Sequence, residues 1–203
     1  MSRLNVKIVE TIDLISAGTF SKSSYWDKAC RDITQSIEAT DWPHGSRSFT
    51  IRPGKHINGV VPIKKPCLRS LKKLGWETEA LPELEPGVLT SGDIDALLQT
   101  PEGYIGFEWE TGNISSSHRA LNKLFLALHD RAIVGGSLVV PSAALYKFLT
   151  DRVGNITELR PYFRLWRTLP ITDGCLRIYV VEHDSESPRV RKIPKGTDGR
   201  AMR

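Results

Sequence analysis

The stretch GFEWETGNISSSHRALNKLFLALHD, residues 106–130, decides the fold, because a strand pattern changes into a helix pattern within it. Phe107 and Trp109 alternate with Glu108 and Glu110. Since successive side chains of a strand point to opposite faces, this alternation predicts a strand with one apolar and one acidic face. The two glutamates therefore end a strand immediately before a helix begins.

The second half of the stretch predicts that helix. Residues 111–113, Thr-Gly-Asn, break the strand. Four apolar side chains then recur at the spacing of one helical face, at Leu121, Leu124, Phe125 and Leu128. A helix with one buried stripe packs that stripe on a sheet, which favours an α/β fold.

A β-hairpin is predicted just before the helix, around the turn TPEG, which has apolar residues on both sides. Pairing Thr100 with Gly103 places Asp95 opposite Glu108, although a bulge at Gly103 would shift this register by one residue. Glu110 points to the same face as Glu108. With the regular register, three carboxylates crowd one side of the sheet.

Further helices and strands alternate along the rest of the chain. The patterns predict an amphipathic helix over 24–39, a basic helix over 62–75, a buried strand over 132–141, helices over 142–152 and 157–167, and a strand over 175–184. This succession predicts a central mixed β-sheet flanked by helices on both sides, in a single domain over residues 1–203. The basic end, rich in Pro and Gly, predicts a flexible arm over about residues 185–203.

Charge and composition limit the kinds of partner. The chain has 28 Lys+Arg against 23 Asp+Glu and a pI near 9.2, which mildly favours an anionic partner. Three separated cysteines suggest neither a disulfide framework nor a metal clip, so we expect a protein of the reducing cytoplasm. No segment has the apolar core of a signal peptide or the roughly twenty apolar residues of a membrane span, so we expect no membrane association.

The carboxylates suggest a metal site. Like charges on one sheet face repel one another, and the repulsion grows where water is excluded. Mg²⁺ compensates this charge directly, because it prefers hard oxygen ligands completed by waters and phosphate oxygens. Such a site suits phosphodiester hydrolysis, with Asp95, Glu108 and Glu110 as candidate ligands. Two alternatives stay open: alternating glutamates can be the wet face of a strand, and a glycosidase also uses two carboxylates.

The dipeptide Asp151-Arg152 is a second candidate for function. It can be an ordinary charge pair. In a DNA-binding protein it can instead read one G·C pair, since Arg binds guanine O6 and N7 while a carboxylate accepts from cytosine N4. The basic helix over 62–75 likewise suits either solvent or phosphate contact. The sequence contains no nucleophile elbow or P-loop, and its five histidines lack zinc-site spacing.

Six segments, in chain order, resemble the BamHI family of type II restriction endonucleases. They are FTI (49–51), NGVVPIK (58–64), GFEWETGNISSSHRALNKL (106–124), LTDRVGN (149–155), ELRPYF (158–163) and IPKGTDG (193–199). The resemblance implies a restriction-endonuclease-like α/β core. It also implies a homodimer that requires Mg²⁺ and cuts both strands of double-stranded DNA at the palindrome GGATCC, leaving 5′-phosphate ends.

The resemblance assigns roles to the acidic residues. Asp95 and Glu108 would be the main metal ligands. Glu110 would act through a water molecule, at a position where many nucleases with this core have lysine. A further active-site carboxylate of the family, also toward the metal, matches Glu79. Glu77 is a competitor, because the spacing to Asp95 differs slightly either way.

Seven residues match positions that face DNA in the family: Asn113, Ser115, Arg119, Asp151, Arg152, Asp198 and Lys64. Hydroxyl and amide groups at a helix start suit bases and phosphates, and Asp198 would be a further major-groove acceptor. The sequence departs from the family pattern at Arg200, which replaces an apolar residue, so no role of a tail is carried over.

A palindromic site suits a twofold-symmetric dimer, in which each subunit reads one half-site. The expected interface is the pair of helices around residues 117–130 and 157–168, where Asp130 would meet Arg164 or Arg167 across the twofold axis. The competing hypothesis is a non-cleaving, sequence-specific DNA-binding protein, which has no need of three carboxylates together.

Overall fold

The computed structural model describes residues 6–82 and 92–195. The strands are β1 (Lys7–Ala17), β2 (Thr50–Ile51), β3 (Glu77–Ala80), β4 (Ile94–Thr100), β5 (Gly103–Trp109), β6 (Gly135–Pro141), β7 (Gly174–Glu182) and β8 (Ser185–Glu186). The helices are α1 (Ser24–Glu38), α2 (Lys65–Lys73), α3 (Ile114–His129), α4 (Ala143–Tyr146), α5 (Ile156–Leu159) and α6 (Phe163–Trp166), with 3-10 turns at Phe20–Lys22 and Arg160–Tyr162. In this described part of the chain, no helix is long and apolar enough to cross a membrane.

Six strands form one mixed sheet in the order β1-β7-β6-β5-β4-β3. Strands β5, β6 and β7 run parallel, whereas β1, β4 and β3 are antiparallel to their neighbours. Helices cover both faces, since one buried cluster includes residues of α1 and α2 and the other includes residues of α3, α5 and α6. The predicted class, an α/β fold with a central mixed sheet flanked by helices on both sides, is confirmed.

The predicted hairpin forms with its regular register. Ladder pairs run without a bulge from Thr100 opposite Gly103 to Ala96 opposite Phe107. The Thr100 hydroxyl also donates to the Gly103 carbonyl at 2.7 Å, which closes the turn. This register brings the start of β4 beside the end of β5, so the acidic residues at those two ends become neighbours.

The two faces of β5 pack as its alternating sequence predicts. Phe107 and Trp109 are buried in the cluster that α1 and α2 cover. On the opposite face α3 lies so close that a Cβ on Gly106 would be 3.1 Å from the side chain of Leu124. Glycine at this strand position therefore allows the close approach of the helix.

Strand β1 has no counterpart among the elements predicted from sequence. This strand lies at the edge of the sheet, antiparallel to β7, with two irregularities in its register. Only Leu14 and Ile15 along it are buried. An edge strand that buries so little carries a weak apolar pattern, so its sequence does not separate it from an irregular segment.

The helix predicted over residues 142–152 is wrong in its length, because α4 ends after four residues. The carbonyl groups that follow accept hydrogen bonds from another segment. The N–H of His56 donates to the carbonyl of Lys147 at 3.0 Å, and the N–H of Asn58 donates to that of Phe148 at 2.9 Å. The carbonyl groups of Lys147 and Phe148 would accept intrahelical hydrogen bonds in a longer helix, but here they accept these long-range bonds.

The described part of the predicted flexible arm is packed on the rest of the protein. Strand β8 pairs in parallel with β2, and Ile193 is buried. The indole N–H of Trp42 donates to the carbonyl of Arg191 at 3.0 Å. In contrast to the prediction from composition, residues 185–195 therefore belong to the folded body, because a few buried apolar side chains outweigh the polar majority.

Candidate active site

Asp95 stands at the start of β4, where its carboxylate is fixed from two sides. Oδ2 accepts a hydrogen bond from the Trp109 N–H at 2.9 Å, across the hairpin. Oδ1 accepts from Nζ of Lys64 at 2.6 Å, and Lys64 directly precedes α2. Lys64, which the resemblance places near DNA, is thus the counter-ion of Asp95.

Glu108 lies next to Asp95 and is more deeply buried, with 8 % of its side chain exposed. Its pKa is raised from 4.5 to about 7, first by burial and second by the charge of Asp95. Burial acts in this direction because it removes water from the charged form. Lys123 opposes the rise. Burial therefore favours the neutral form of this carboxyl more than in an exposed glutamate when no further cation is bound.

Lys123 neutralises Glu108 from the side of α3. Its ammonium contacts Oε1 of Glu108 and donates to the carbonyl of Asp93, and only 13 % of its side chain is exposed. The sequence patterns do not single out this residue, because a lysine beside an apolar helical stripe usually faces solvent. The available signal is topology: α3 connects the parallel strands β5 and β6, so it packs on the face of the sheet to which Gly106 and Glu108 point, where Leu124 lies against Gly106.

Each carboxylate thus has its own lysine counter-ion: Lys64, next to α2, for Asp95 and Lys123, in α3, for Glu108. Asp95 and Glu108 offer hard oxygen atoms, which suit Mg²⁺ when waters and phosphate oxygens complete its shell. Within residues 6–82 and 92–195, no group of three or more acidic, His or Cys side chains is placed to hold a metal ion. The pair therefore fits an ion held partly by substrate and water, and does not form a cage made of protein ligands alone.

Glu110 does not join the pair as strand alternation predicts. Its N–H continues the ladder to the carbonyl of Val139 at 3.1 Å. Its Oε1 accepts the N–H of Gly112, in the turn that leads into α3. The expected crowding of three carboxylates is thus reduced to two, because the third carboxylate binds the backbone of the turn.

The two candidates for the further carboxylate both lie on the edge strand β3 and are exposed. Glu77 pairs with Leu97 in the ladder. Glu79 stands between two ladder pairs, at the register position across from Asp95. Its φ of 54° is uncommon for a residue other than glycine, and such backbone is concentrated at functional sites. Register and backbone therefore both favour Glu79.

The first two turns of α3 carry the predicted DNA-facing residues of that segment. Asn113 caps the helix by accepting the N–H of Ser116 at 2.9 Å. Ser115 and Arg119 are exposed, one turn apart, and line the same open cleft as Lys123. The structure thus places these polar groups on the helix that also supplies the counter-ion of the active site.

The Asp151-Arg152 dipeptide lies in a turn that is hydrogen-bonded to the segment between β5 and α3. Both residues are exposed. The N–H of Gly154 donates to the carbonyl of Gly112 at 3.0 Å, and a Cβ on Gly154 would lie 2.7 Å from a side-chain oxygen of α3. Only glycine allows the turn to come this close to the helix. Asp198, the remaining predicted base-reading residue, lies outside the described residues.

The family model described as restriction endonuclease BamHI matches residues 6–200. The chain belongs to this family. It is 46 % identical over 172 residues to the type II restriction enzyme OkrAI of Oceanobacter kriegii, a match covering 85 % of this chain and 88 % of that protein. It is 37 % identical over 191 residues to the type II restriction enzyme BamHI of Bacillus amyloliquefaciens, covering 90 % and 87 % of the two chains.

As a member of the BamHI family, the chain is a type II restriction endonuclease, which is a site-specific deoxyribonuclease. The family resemblance of the six quoted segments is therefore confirmed. This membership also decides between the two hypotheses from sequence, in favour of the nuclease and against a non-cleaving DNA-binding protein.

Proposed function

We propose that this enzyme hydrolyses both strands of double-stranded DNA at the palindrome GGATCC, in a Mg²⁺-dependent reaction that leaves 5′-phosphate ends. The observation that carries the proposal is the double role of Gly112. Its N–H binds Glu110, and its carbonyl binds Gly154 in the turn of Asp151-Arg152. These two bonds place the Asp151-Arg152 turn beside the turn that follows Glu108 and Glu110, which supports cleavage and base reading on one duplex.

The donor set supports Mg²⁺. Type II restriction enzymes of this family generally use a divalent metal. In this chain Asp95 and Glu108 would hold the ion, with Glu79 as the further carboxylate across the β3–β4 ladder. All three offer carboxylate oxygens, the ligands that Mg²⁺ prefers over softer nitrogen and sulfur donors. When bound, the ion neutralises the negative charge that builds on the phosphate and lowers the pKa of water.

Glu110 is proposed to orient the attacking water. Because Oε1 is bound by the N–H of Gly112, Oε2 is the oxygen that can accept a hydrogen bond from that water. A water held in this way can be aligned with the leaving 3′ oxygen, and positioning of this kind is a main source of rate enhancement in phosphoryl transfer. Lys64, with 38 % of its side chain exposed, can turn from Asp95 to a DNA phosphate.

Two segments are proposed to read bases, namely the turn that carries Asp151-Arg152 and the start of α3. Asp151 and Arg152 suit one G·C pair, because the guanidinium matches guanine O6 and N7 and the carboxylate matches cytosine N4. The start of α3 offers Asn113, Ser115 and Arg119 to bases and phosphates, next to the positive end of the helix dipole. Asp198 is proposed as a further acceptor in the major groove.

A homodimer is proposed because a twofold axis in the protein matches the palindrome. The expected interface helices expose large apolar side chains, namely Leu126 at 53 %, Tyr162 at 48 % and Leu165 at 58 %. Exposed apolar side chains of this size are common at protein–protein interaction sites. Asp130, which binds Nδ1 of His129 at 2.9 Å within the chain, would meet Arg164 or Arg167 across the axis. We expect Asp130→Arg to weaken dimerisation in sedimentation equilibrium, and unchanged association would contradict this pairing.

The reducing cytoplasm is proposed as the site of action. The three cysteines, Cys30, Cys67 and Cys175, are all free thiols. Free thiols are usual for proteins of a reducing compartment, where disulfides are rare.

Digestion of a plasmid that contains one GGATCC site tests this function. We expect a single cut in the presence of Mg²⁺, none with a chelator, and none in a matched plasmid in which one base pair of the site is changed. Run-off sequencing and ligation of the product give the cut position and the 5′-phosphate. A fixed cut at another sequence would overturn the proposed site, and cutting in chelator would overturn the metal requirement. Binding of GGATCC without any cutting in Mg²⁺ would overturn the proposed reaction at this site.

A further inference from the structure

Asn58 is a completely buried polar residue that connects three separate parts of the chain. Its Nδ2 donates to the carbonyl of Arg52 at 2.9 Å and to that of Phe148 at 3.1 Å. Its Oδ1 accepts the N–H of Ile193 at 3.2 Å. Donors and acceptor are thus all used, and a buried amide with three fixed partners holds those partners in one arrangement.

The backbone next to this side chain repeats the same connections. The N–H of Asn58 donates to the carbonyl of Phe148 at 2.9 Å, and the N–H of Gly59 donates to the carbonyl of Ile193 at 2.7 Å. A Cβ on Gly59 would lie 2.0 Å from the carbonyl oxygen of Pro194. Any side chain at position 59 would therefore push the C-terminal segment away.

Both connected segments lead to DNA-reading residues of the proposed function. Phe148 lies two residues before the 150–154 turn, which carries Asp151-Arg152. Ile193 lies five residues before Asp198 in the sequence. Asn58 and Gly59 therefore connect Phe148 and Ile193, the residues from which the chain continues to the two proposed recognition segments.

The surface beside the C-terminal segment is basic. Exposed Lys192 and Lys195 line one cleft together with His56. Nδ1 of His56 lies 2.8 Å from the carbonyl of Leu149, which immediately precedes the 150–154 turn. His56 thus belongs to the cleft of the C-terminal segment and is bonded to the segment that leads to residues 150–154, so a shift of one segment changes its position relative to the other.

We propose that Asn58 and Gly59 are positioning residues for sequence discrimination, which act by fixing the distance between the 150–154 turn and the C-terminal segment. The inference rests on the proposed DNA recognition. Base contacts fail when their groups shift by about 0.5 Å, because the hydrogen-bond geometry is specific. Contacts of lysine with phosphate tolerate such shifts, because an ammonium on a long stem acts as a point charge. Loosening the anchor should therefore reduce specificity more than general DNA affinity.

The experiment compares Asn58→Ala and Gly59→Ala with Ser36→Ala in the full chain. Ser36 is a matched control because it is also completely buried and hydrogen-bonded, to Ser70 at 2.9 Å, but between α1 and α2. The readouts are the ratio of kcat/KM for GGATCC over a site with one base pair changed, the affinity for unrelated duplex, and Tm. We expect the ratio to fall by about tenfold or more in both anchor variants, the loss of roughly one base contact.

Affinity for unrelated duplex should change by less than about threefold, because phosphate contacts persist. Ser36→Ala should lose Tm but keep the wild-type ratio. A folded Gly59→Ala variant with the wild-type ratio would overturn the inference, even if Asn58→Ala does not fold. In the wild type, the amides of Gly59 and Ile193 should gain protection from hydrogen exchange with GGATCC duplex and not with unrelated duplex, and equal protection by both would also overturn it. A wild type that cuts no fixed sequence would instead refute the proposed function itself.

Discussion

The proposed catalytic edge, where Asp95, Glu108 and Glu110 lie at or beside the ends of β4 and β5, and the proposed recognition turn, residues 150–154, both contact Gly112. They hold their charged groups in opposite ways. At the edge, the carboxylates of Asp95 and Glu108 are largely buried, and each is fixed through its side chain by a lysine. In the turn, Asp151-Arg152 is exposed, and the backbone is fixed by the bond from Gly154 to Gly112. The edge is fixed by charge, and the turn is fixed by main-chain contacts.

This difference indicates which functional residues lower the stability of the folded state. Buried carboxylates destabilise the folded state unless counter-ions compensate them, whereas exposed charges change stability little. The catalytic edge should therefore show a conflict between activity and stability. The recognition turn should not, because substitution of its side chains leaves the main-chain bonds in place. The following substitutions test that contrast, from the largest expected effect to the smallest.

Asp95→Asn should have the largest effect. The amide keeps the shape of the carboxylate but removes the charge that the metal site needs, so cleavage of a GGATCC duplex should fall by at least about 10³-fold. Single-turnover rates measure this loss, and fluorescence anisotropy should show nearly unchanged DNA affinity. Asp13→Asn, which removes a surface ion pair with Arg177, is the matched control and should cut normally. Parallel loss of cutting and binding would mean that Asp95 mainly supports the fold.

Glu108→Gln should stabilise the metal-free protein as pH rises. Because the folded-state pKa of Glu108 is raised from 4.5 to about 7, the native state binds more protons than the unfolded state between these values. The wild type therefore loses stability from about pH 4.5 to pH 7, by about 3 kcal/mol from this group at most. Glutamine resembles the protonated carboxyl and does not titrate. Urea unfolding in chelator should give equal stability near pH 4.5 and a more stable variant at pH 8. Equal stability of the wild type and the variant at pH 8 would show that Glu108 does not lower the stability of the folded protein.

Lys123→Met should destabilise the metal-free protein at pH 8 by about 2 kcal/mol, because it leaves the buried Glu108 carboxylate without its nearest counter-ion. The double variant Glu108→Gln with Lys123→Met should lose much less, since a neutral amide needs no counter-ion. Urea unfolding of the four proteins gives the coupling free energy. Arg160→Met, which removes an exposed pair with Glu10, serves as control and should cost little. If the losses of the two single variants add up in the double variant, Lys123 does not stabilise the charged form of Glu108.

The parts of the fold that the sequence predicts are those that local patterns determine. The hairpin register follows from a four-residue turn, and α3 follows from its apolar stripe, so local patterns alone place Asp95 and Glu108 side by side. The remaining features depend on long-range contacts. Lys123 reaches Glu108 because α3 packs on the sheet face to which Gly106 and Glu108 point. Helix α4 is short because the carbonyl groups that would extend it accept hydrogen bonds from residues 56–58.

Burial of the C-terminal segment escapes prediction for the same physical reason. Composition describes the average polarity of residues 185–195, whereas packing depends on single side chains such as Ile193 and on backbone bonds to residues distant in sequence. The expected trio of carboxylates fails at Glu110, since strand alternation ends where the strand ends and the N–H of Gly112 then binds its side chain. The preference for Glu79 over Glu77 as the proposed further carboxylate likewise depends on the β3–β4 register.

Arg152→Ala should have the smallest effect on the fold and a clear effect on recognition. The free energy of unfolding should change by less than about 0.5 kcal/mol, because the side chain is exposed and the turn is held by main-chain bonds. Preference for GGATCC over a site with the G·C pair changed should fall by roughly 1–3 kcal/mol, the range for a bidentate guanine contact. Competition binding in Ca²⁺ measures this preference, and Arg31→Ala on the exposed side of α1 controls for the lost positive charge. A large loss of stability would break the contrast, because the turn would then depend on its side chains as the catalytic edge does.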